Sequence, residues 1–114
     1  MELVEQVQGN VKIVKVSGRI DQATASAFQE KLAPWLDACK AGEASLLLDF
    51  TGVEYISSVG LRVLMLAAKQ VKSQQGRIAI TKLTPVVAEV FQVSRFNLVF
   101  SLYPTVDDAV AALS

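Results

Sequence analysis

The sequence predicts an α/β fold: a mixed, mainly parallel sheet of about five strands with four to five helices packed on it. Three observations point there. Apolar runs of strand length alternate with longer stretches in which apolar residues recur every three to four positions. Only Gly9-Asn10 separates the first two runs, a hairpin signal, whereas every later pair of runs has a helical stretch between, as parallel crossovers require. Leu46-Leu47-Leu48 is apolar at consecutive positions, as a central strand buried on both faces should be.

Each element has its own signal. Leu3, Val4 and Val7 make a weak first strand. Val11 to Ser17 alternates apolar and polar residues and pairs with it. Asp21 can cap a helix from about Gln22 to Lys40, with Ala25, Phe28, Leu32, Trp35-Leu36 and Cys39 forming its apolar stripe. Pro34 lies inside that stripe, so a kink or a break into two pieces is expected. Ala44 to Phe50 is the third strand, which Asp49, Thr51 and Gly52 should end. A second helix runs from about Ser58 to Gln74, and Arg77 to Lys82 is the fourth strand. Thr84-Pro85 starts a third helix, cap then proline, with Val86, Val87, Val90 and Phe91 on one face. Leu98 to Tyr103 is the fifth strand. Thr105 with Asp108 three residues later resembles a capping box, from which Val110 and Leu113 dock a short last helix.

The totals bound the function. With 114 residues, 52% hydrophobic and 19% charged, the chain suits one folded domain spanning residues 1–114. Lys plus Arg number 11 and Asp plus Glu number 11, so there is no electrostatic footprint for nucleic acid or an anionic membrane. One cysteine, Cys39, precludes an internal disulfide framework and is read as a buried apolar residue. Histidine is absent, which removes Ser-His and Cys-His catalysis and most zinc sites. The apolar run Val63 to Ala68 falls far short of the roughly 20 residues a membrane helix needs. No signal-peptide pattern opens the sequence, so a cytoplasmic location is expected. No catalytic residue, metal site or cofactor is expected.

The stretch Asp49 to Lys69 carries the chemistry. Ser57-Ser58 stands at the start of the second helix, where backbone N–H groups lack intrahelical partners. With Ser57 as N-cap, Ile56 and Leu61 can form a hydrophobic staple and Ser58 becomes the first helical residue, its hydroxyl toward solvent. A hydroxyl there can carry a phosphate that the helix dipole favours. Gly60, one turn in, suggests close approach by another backbone. Leu61, Leu64, Met65, Ala68, Val71 and the stem of Lys72 share the helix's core face. Val59, Val63 and Leu66 fall opposite, with Gln70: either Val63 and Leu66 pack under another helix, or the side meets a partner, Val59 being its exposed member.

From first strand to last helix the chain resembles the STAS domain family, and within it the bacterial anti-sigma-factor antagonists. The resemblance rests on GRID (Gly18 to Asp21), DFTGVEYISSVGL (Asp49 to Leu61) and the last helix DDAVAAL. Asp49, Thr51, Val53, Ile56, Ser58, Gly60 and Leu61 match the family motif. Ser57 stands where Asp is usual and Val59 where Ser or Thr is usual.

The resemblance implies a phospho-acceptor at Ser58, with Ser57 as the alternative. It implies partners: an anti-sigma factor that is also a serine kinase of the histidine-kinase-like ATPase fold, and a PP2C-type phosphatase. The unphosphorylated protein would bind the kinase and free a sigma factor; phosphorylation would release it. The expected partner surface is Asp21, Ser57, Ser58, Val59, Gly60, Arg62 and Val63. The alternative is a STAS subunit of a lipid-transport ABC system or another interaction module without a sigma factor. A serine hydrolase is disfavoured, since neither a base nor a nucleophile elbow accompanies Ser58.

Overall fold

The computed structural model describes residues 1–114. The elements follow in the order β1 (Glu2–Gln8), β2 (Val11–Ile20), α1 (Ala25–Ala38), β3 (Ser45–Ile56), α2 (Ser58–Ser73), β4 (Ile78–Thr81), α3 (Pro85–Val93), a short 3-10 turn (Phe96–Leu98), β5 (Ser101–Tyr103) and α4 (Val106–Leu113). The sheet is five-stranded in the order β1-β2-β3-β4-β5. β1 pairs antiparallel with β2, and every later pair is parallel. The mixed, mainly parallel sheet is therefore as expected, with four α-helices.

Sequential strand order and right-handed crossovers put α1, α2 and α3 on one face. Two cores result. The larger joins Phe28, Leu32, Leu64, Val71, Val87 and Phe91 from these helices to Val14, Leu46, Leu48 and Ile80 of the sheet. On the other face Val11, Ile13, Leu47 and Ala79 meet Ala109 and Leu113 of α4. The leucine triplet is thus split, Leu46 and Leu48 to one side and Leu47 to the other, as a central strand demands. Thr105 caps α4 by accepting the Asp108 N–H at 3.1 Å.

Several boundaries differ from the expectation. α1 starts at Ala25, because Asp21 first folds a turn: its backbone carbonyl accepts the N–H groups of Thr24 and Ala25. Pro34 neither breaks nor splits α1; it lies on the exposed side, where the carbonyl that loses its donor can turn to water. β3 does not end at Phe50. It continues to Ile56 by pairing with the far half of β2, which runs on to Ile20, across two register shifts. Gly52 permits this, since a Cβ there would lie 2.8 Å from Cβ of Ser17. β5 begins only at Ser101, because the preceding 3-10 turn buries Phe96 in a chain of rings running Phe50, Phe91, Phe96, Phe100.

The face of α2 is also rotated from the expectation. Gly60, Leu61, Val63, Leu64, Ala67 and Val71 are buried, while Met65 and Ala68 are only partly so and Lys72 is exposed. Val63 packs inward because α1 lies beside α2. Gln74 secures that pairing by donating to the Leu36 and Cys39 carbonyls at 2.8 Å each, satisfying groups at the end of α1. Leu66 stays outside, 45% exposed. Cys39 is a core thiol that donates to the Arg77 carbonyl at 3.2 Å.

Two outcomes follow. A Cβ at Gly60 would sit 2.6 Å from Ile20 Cγ2, 2.8 Å from Ile56 Cγ1 and 3.1 Å from the Ile20 carbonyl oxygen. Both isoleucines are β-branched and stiff. Gly60→Ala should therefore lower stability by about 1–2 kcal/mol, overpacking outweighing the gain in helix propensity, and lower Tm by roughly 5–10 °C. An unchanged or raised Tm would mean that the isoleucines yield. Burial pushes the Cys39 thiol up from its ordinary range. Iodoacetamide at pH 8 should modify it slowly in the native protein and rapidly in guanidinium chloride, as mass spectrometry would show; equal rates would contradict its burial.

Candidate functional site

The site forms where β2 and β3 end together and α2 begins. Ile20 and Ile56 are register partners at those ends, and the Ser57 N–H donates to the Ile20 carbonyl at 2.8 Å. Ser57 is extended, with φ −91° and ψ 173°, the conformation of an N-cap. Its hydroxyl accepts the Gly60 N–H at 3.3 Å and its carbonyl accepts the Leu61 N–H at 2.9 Å. Ile56 and Leu61 are both buried in the main core, the two ends of the expected staple. The capping work thus falls on Ser57.

Ser58, the first residue of α2, is exposed. Its neighbours along the outer face are Val59, 40% exposed, Arg62 and Leu66. The expected partner surface needs correction at two positions. Gly60 is buried against Ile20 and Ile56, and Val63 is only 6% exposed, so neither offers side-chain surface. The sequence reads Gly60 as a point of close approach and leaves open whether Val63 packs under another helix; the close approach is to Ile20 and Ile56, and Val63 joins the core that α1 and α2 share.

Asp21 lies at the same end of the sheet. Its Oδ1 accepts the N–H groups of Ala23 and Thr24 at 3.0 and 3.2 Å and the Thr24 hydroxyl at 3.3 Å. The Thr24 hydroxyl also donates to the Arg19 carbonyl at 2.7 Å. The other carboxylate oxygen faces Arg19, with Nε to Oδ2 at 3.6 Å. Desolvation acts to raise the Asp21 pKa. The Ala23 N–H, the Thr24 hydroxyl and N–H, and the Arg19 guanidinium outweigh it and hold the carboxyl below its usual value. Whatever this adds to stability is present above the unfolded pKa, about 3.9, and is lost as pH falls through the folded one. So Asp21 caps the turn before α1, at the end of the sheet where α2 begins.

Two neighbours were not anticipated. The Arg19 guanidinium lies 4.7 Å from the centre of the Tyr55 ring, its register partner on β3. Thr84 donates its hydroxyl to the Val53 carbonyl at 2.9 Å, tying the start of α3 to β3. Asp21-x-x-Thr24 was readable as a turn signal. The Arg19–Tyr55 pair was not, because it depends on strand register.

Asp49 and Thr51, prominent in the motif, serve the scaffold. Asp49 is 4% exposed, and its Oδ1 accepts the Thr51 N–H at 2.9 Å and hydroxyl at 2.6 Å. No cluster of His, Cys, Asp or Glu in the chain could hold a metal, and no helix is long and apolar enough to cross a membrane. Chemically, the site presents one free hydroxyl on a fixed helix start with an apolar and cationic face beside it.

Comparison with known proteins sets this geometry in a family. The model of the STAS domain family matches residues 2–109. BtrV of Bordetella bronchiseptica, named as a candidate anti-sigma factor antagonist, is 35% identical over 112 residues, covering 98% of this chain and 94% of that protein. RsfB of Mycobacterium tuberculosis, named an anti-sigma-F factor antagonist, is 23% identical over 103 residues, covering 90% and 81%. The crystal structure of an anti-sigma factor antagonist from Mycobacterium paratuberculosis superposes with a TM-score of 0.85 at 27% identity, covering 98% of this chain and 92% of that one. With the family match running from β1 into α4, the chain belongs to the STAS domain family.

Proposed function

We propose that this protein is an anti-sigma-factor antagonist that works by partner switching, with Ser58 as the phospho-acceptor. The observation that carries the reading is the division of labour at the start of α2. Ser57 caps the helix through its hydroxyl, and Ser58 stands exposed one residue further on. The named relatives, matched over nearly the whole chain, support the antagonist role.

In this reading the unphosphorylated chain docks an anti-sigma factor through Asp21, Ser58, Val59 and Arg62. That partner is a serine kinase of the histidine-kinase-like ATPase fold and supplies ATP and Mg²⁺. Ser58 Oγ forms the new P–O bond, the bond from the γ-phosphorus to the β,γ-bridging oxygen breaks, ADP leaves, and the serine proton passes to the kinase or solvent. This chain contributes a positioned nucleophile and no base. A PP2C-type phosphatase reverses the step by hydrolysis. The STAS domain itself is a regulator here, with no reaction of its own.

The physical effect of the phosphate is local. It adds about −1.5 to −2 charges beside free N–H groups at a helix start, so the isolated domain accommodates it without refolding. In a docked complex the same charge would be desolvated without a partner, at a cost of several kcal/mol. That is enough to weaken binding about a thousandfold.

Incubation with a cognate kinase and Mg-ATP, followed by peptide mapping, should place phosphate on Ser58. Label on neither Ser58 nor Ser57 would remove the switch. Ser58→Ala should keep anti-sigma binding, whereas Ser58→Asp should weaken it by about a hundredfold or more, measured by calorimetry. Equal affinities for the two variants would contradict the mechanism.

A further inference from the structure

Arg62 belongs to the proposed docking face and holds a particular place relative to Ser58. It stands four residues after Ser58 in α2, so the two side chains lie one turn apart on the same side of the helix. Both are exposed. Arg62 forms no ion pair; the ion pair of the chain joins Arg19 to Asp21. The first turn of α2 carries no acidic residue. A cation therefore sits close to the positive end of the helix dipole with no counter-charge, an arrangement unfavourable until an anion arrives.

A phosphate on Ser58 supplies that anion in the favoured orientation, the negative group preceding the positive one by four residues. A guanidinium presents paired donors that match phosphate oxygens. The other arginine at this end is already engaged, by Asp21 on one side and the Tyr55 ring on the other. We propose that Arg62 reads the phosphorylation state of Ser58: it closes on the phosphate within the helix and is thereby withdrawn from the docking face between Val59 and Leu66. Phosphorylation then changes two groups of that face at once, adding a charge at position 58 and occupying the cation at position 62. This inference rests on Ser58 being the acceptor.

The test installs phosphoserine at position 58 by genetic code expansion and follows its second ionisation by ³¹P NMR. Free phosphoserine titrates near pH 6. The protein with native Arg62 should titrate roughly half a unit lower than its Arg62→Gln variant, because the cation favours the dianion. The gap should narrow at high salt, persist in part with Arg62→Lys, and be unaffected by Arg19→Gln. Superimposable titrations for native and Arg62→Gln proteins would overturn the proposal, as would a shift that follows Arg19→Gln instead. No kinase or partner enters this experiment. Superimposable curves therefore remove the role of Arg62 while leaving the Ser58 switch standing, and loss of the switch in the binding assay leaves the comparison of the two curves to be judged by itself.

Discussion

The structure depends on how β3 hands over to α2. One hydrogen bond, from the Ser57 N–H to the Ile20 carbonyl, joins the end of β3 to the end of β2. Around it, Ser57 closes the first turn of the helix and Gly60 lets the turn settle against Ile20. The residue between these fixed points is Ser58. Its exposure is a consequence of neighbours that face inward: Ile56 and Leu61 are held in the core, and Gly60 has no side chain to push the helix away. On the proposed switch, a hydroxyl in such a place keeps its position whether or not it carries a charge.

The rest of the fold keeps that junction rigid. β3 is the middle strand, and its first half, from Ser45 to Phe50, is buried on both faces, by α1 to α3 on one side and α4 on the other. Asp49 and Thr51 brace its course at the first of the two register shifts that align it with β2. α2 is fastened at its far end by Gln74, which takes two carbonyls at the close of α1. A body built this way has little room to deform, so a charge placed at the helix start acts on whatever meets the surface. Asp21 and Arg19 lie at the same end of the sheet in a turn of their own.

Much of this was legible in the residues, for physical reasons. The hairpin, the alternation of strands and helices, the buried leucine strand and the cap at Ser57 each follow from local chemistry: a turn dipeptide, a hydrophobic period, a hydroxyl before a helix. What the residues could not disclose depends on tertiary neighbours. On a wheel Val63 could meet a partner or pack under another helix, and only the position of α1 decides between them. β3 seemed to stop at Thr51-Gly52 because those residues disfavour strands by themselves, yet pairing with β2 carries the strand to Ile56 and makes Gly52 necessary. Phe96 carries no local signal of its own, and only the aromatic chain through Phe91 and Phe100 shows why it is buried. At the site, the position of Ser58 was readable while the engagement of Arg19 was not.

The central claim is that position 58 is a reachable hydroxyl on a scaffold that keeps its shape when charged. Amide ¹H–¹⁵N spectra of the protein with serine and with phosphoserine at this position test it most directly. The account predicts shifts confined to the start of α2 and its immediate neighbours, near residues 19–24 and 57–62, with the amides of β4, β5 and α4 unmoved. Changes spread through the sheet, or loss of the native spectrum, would contradict it.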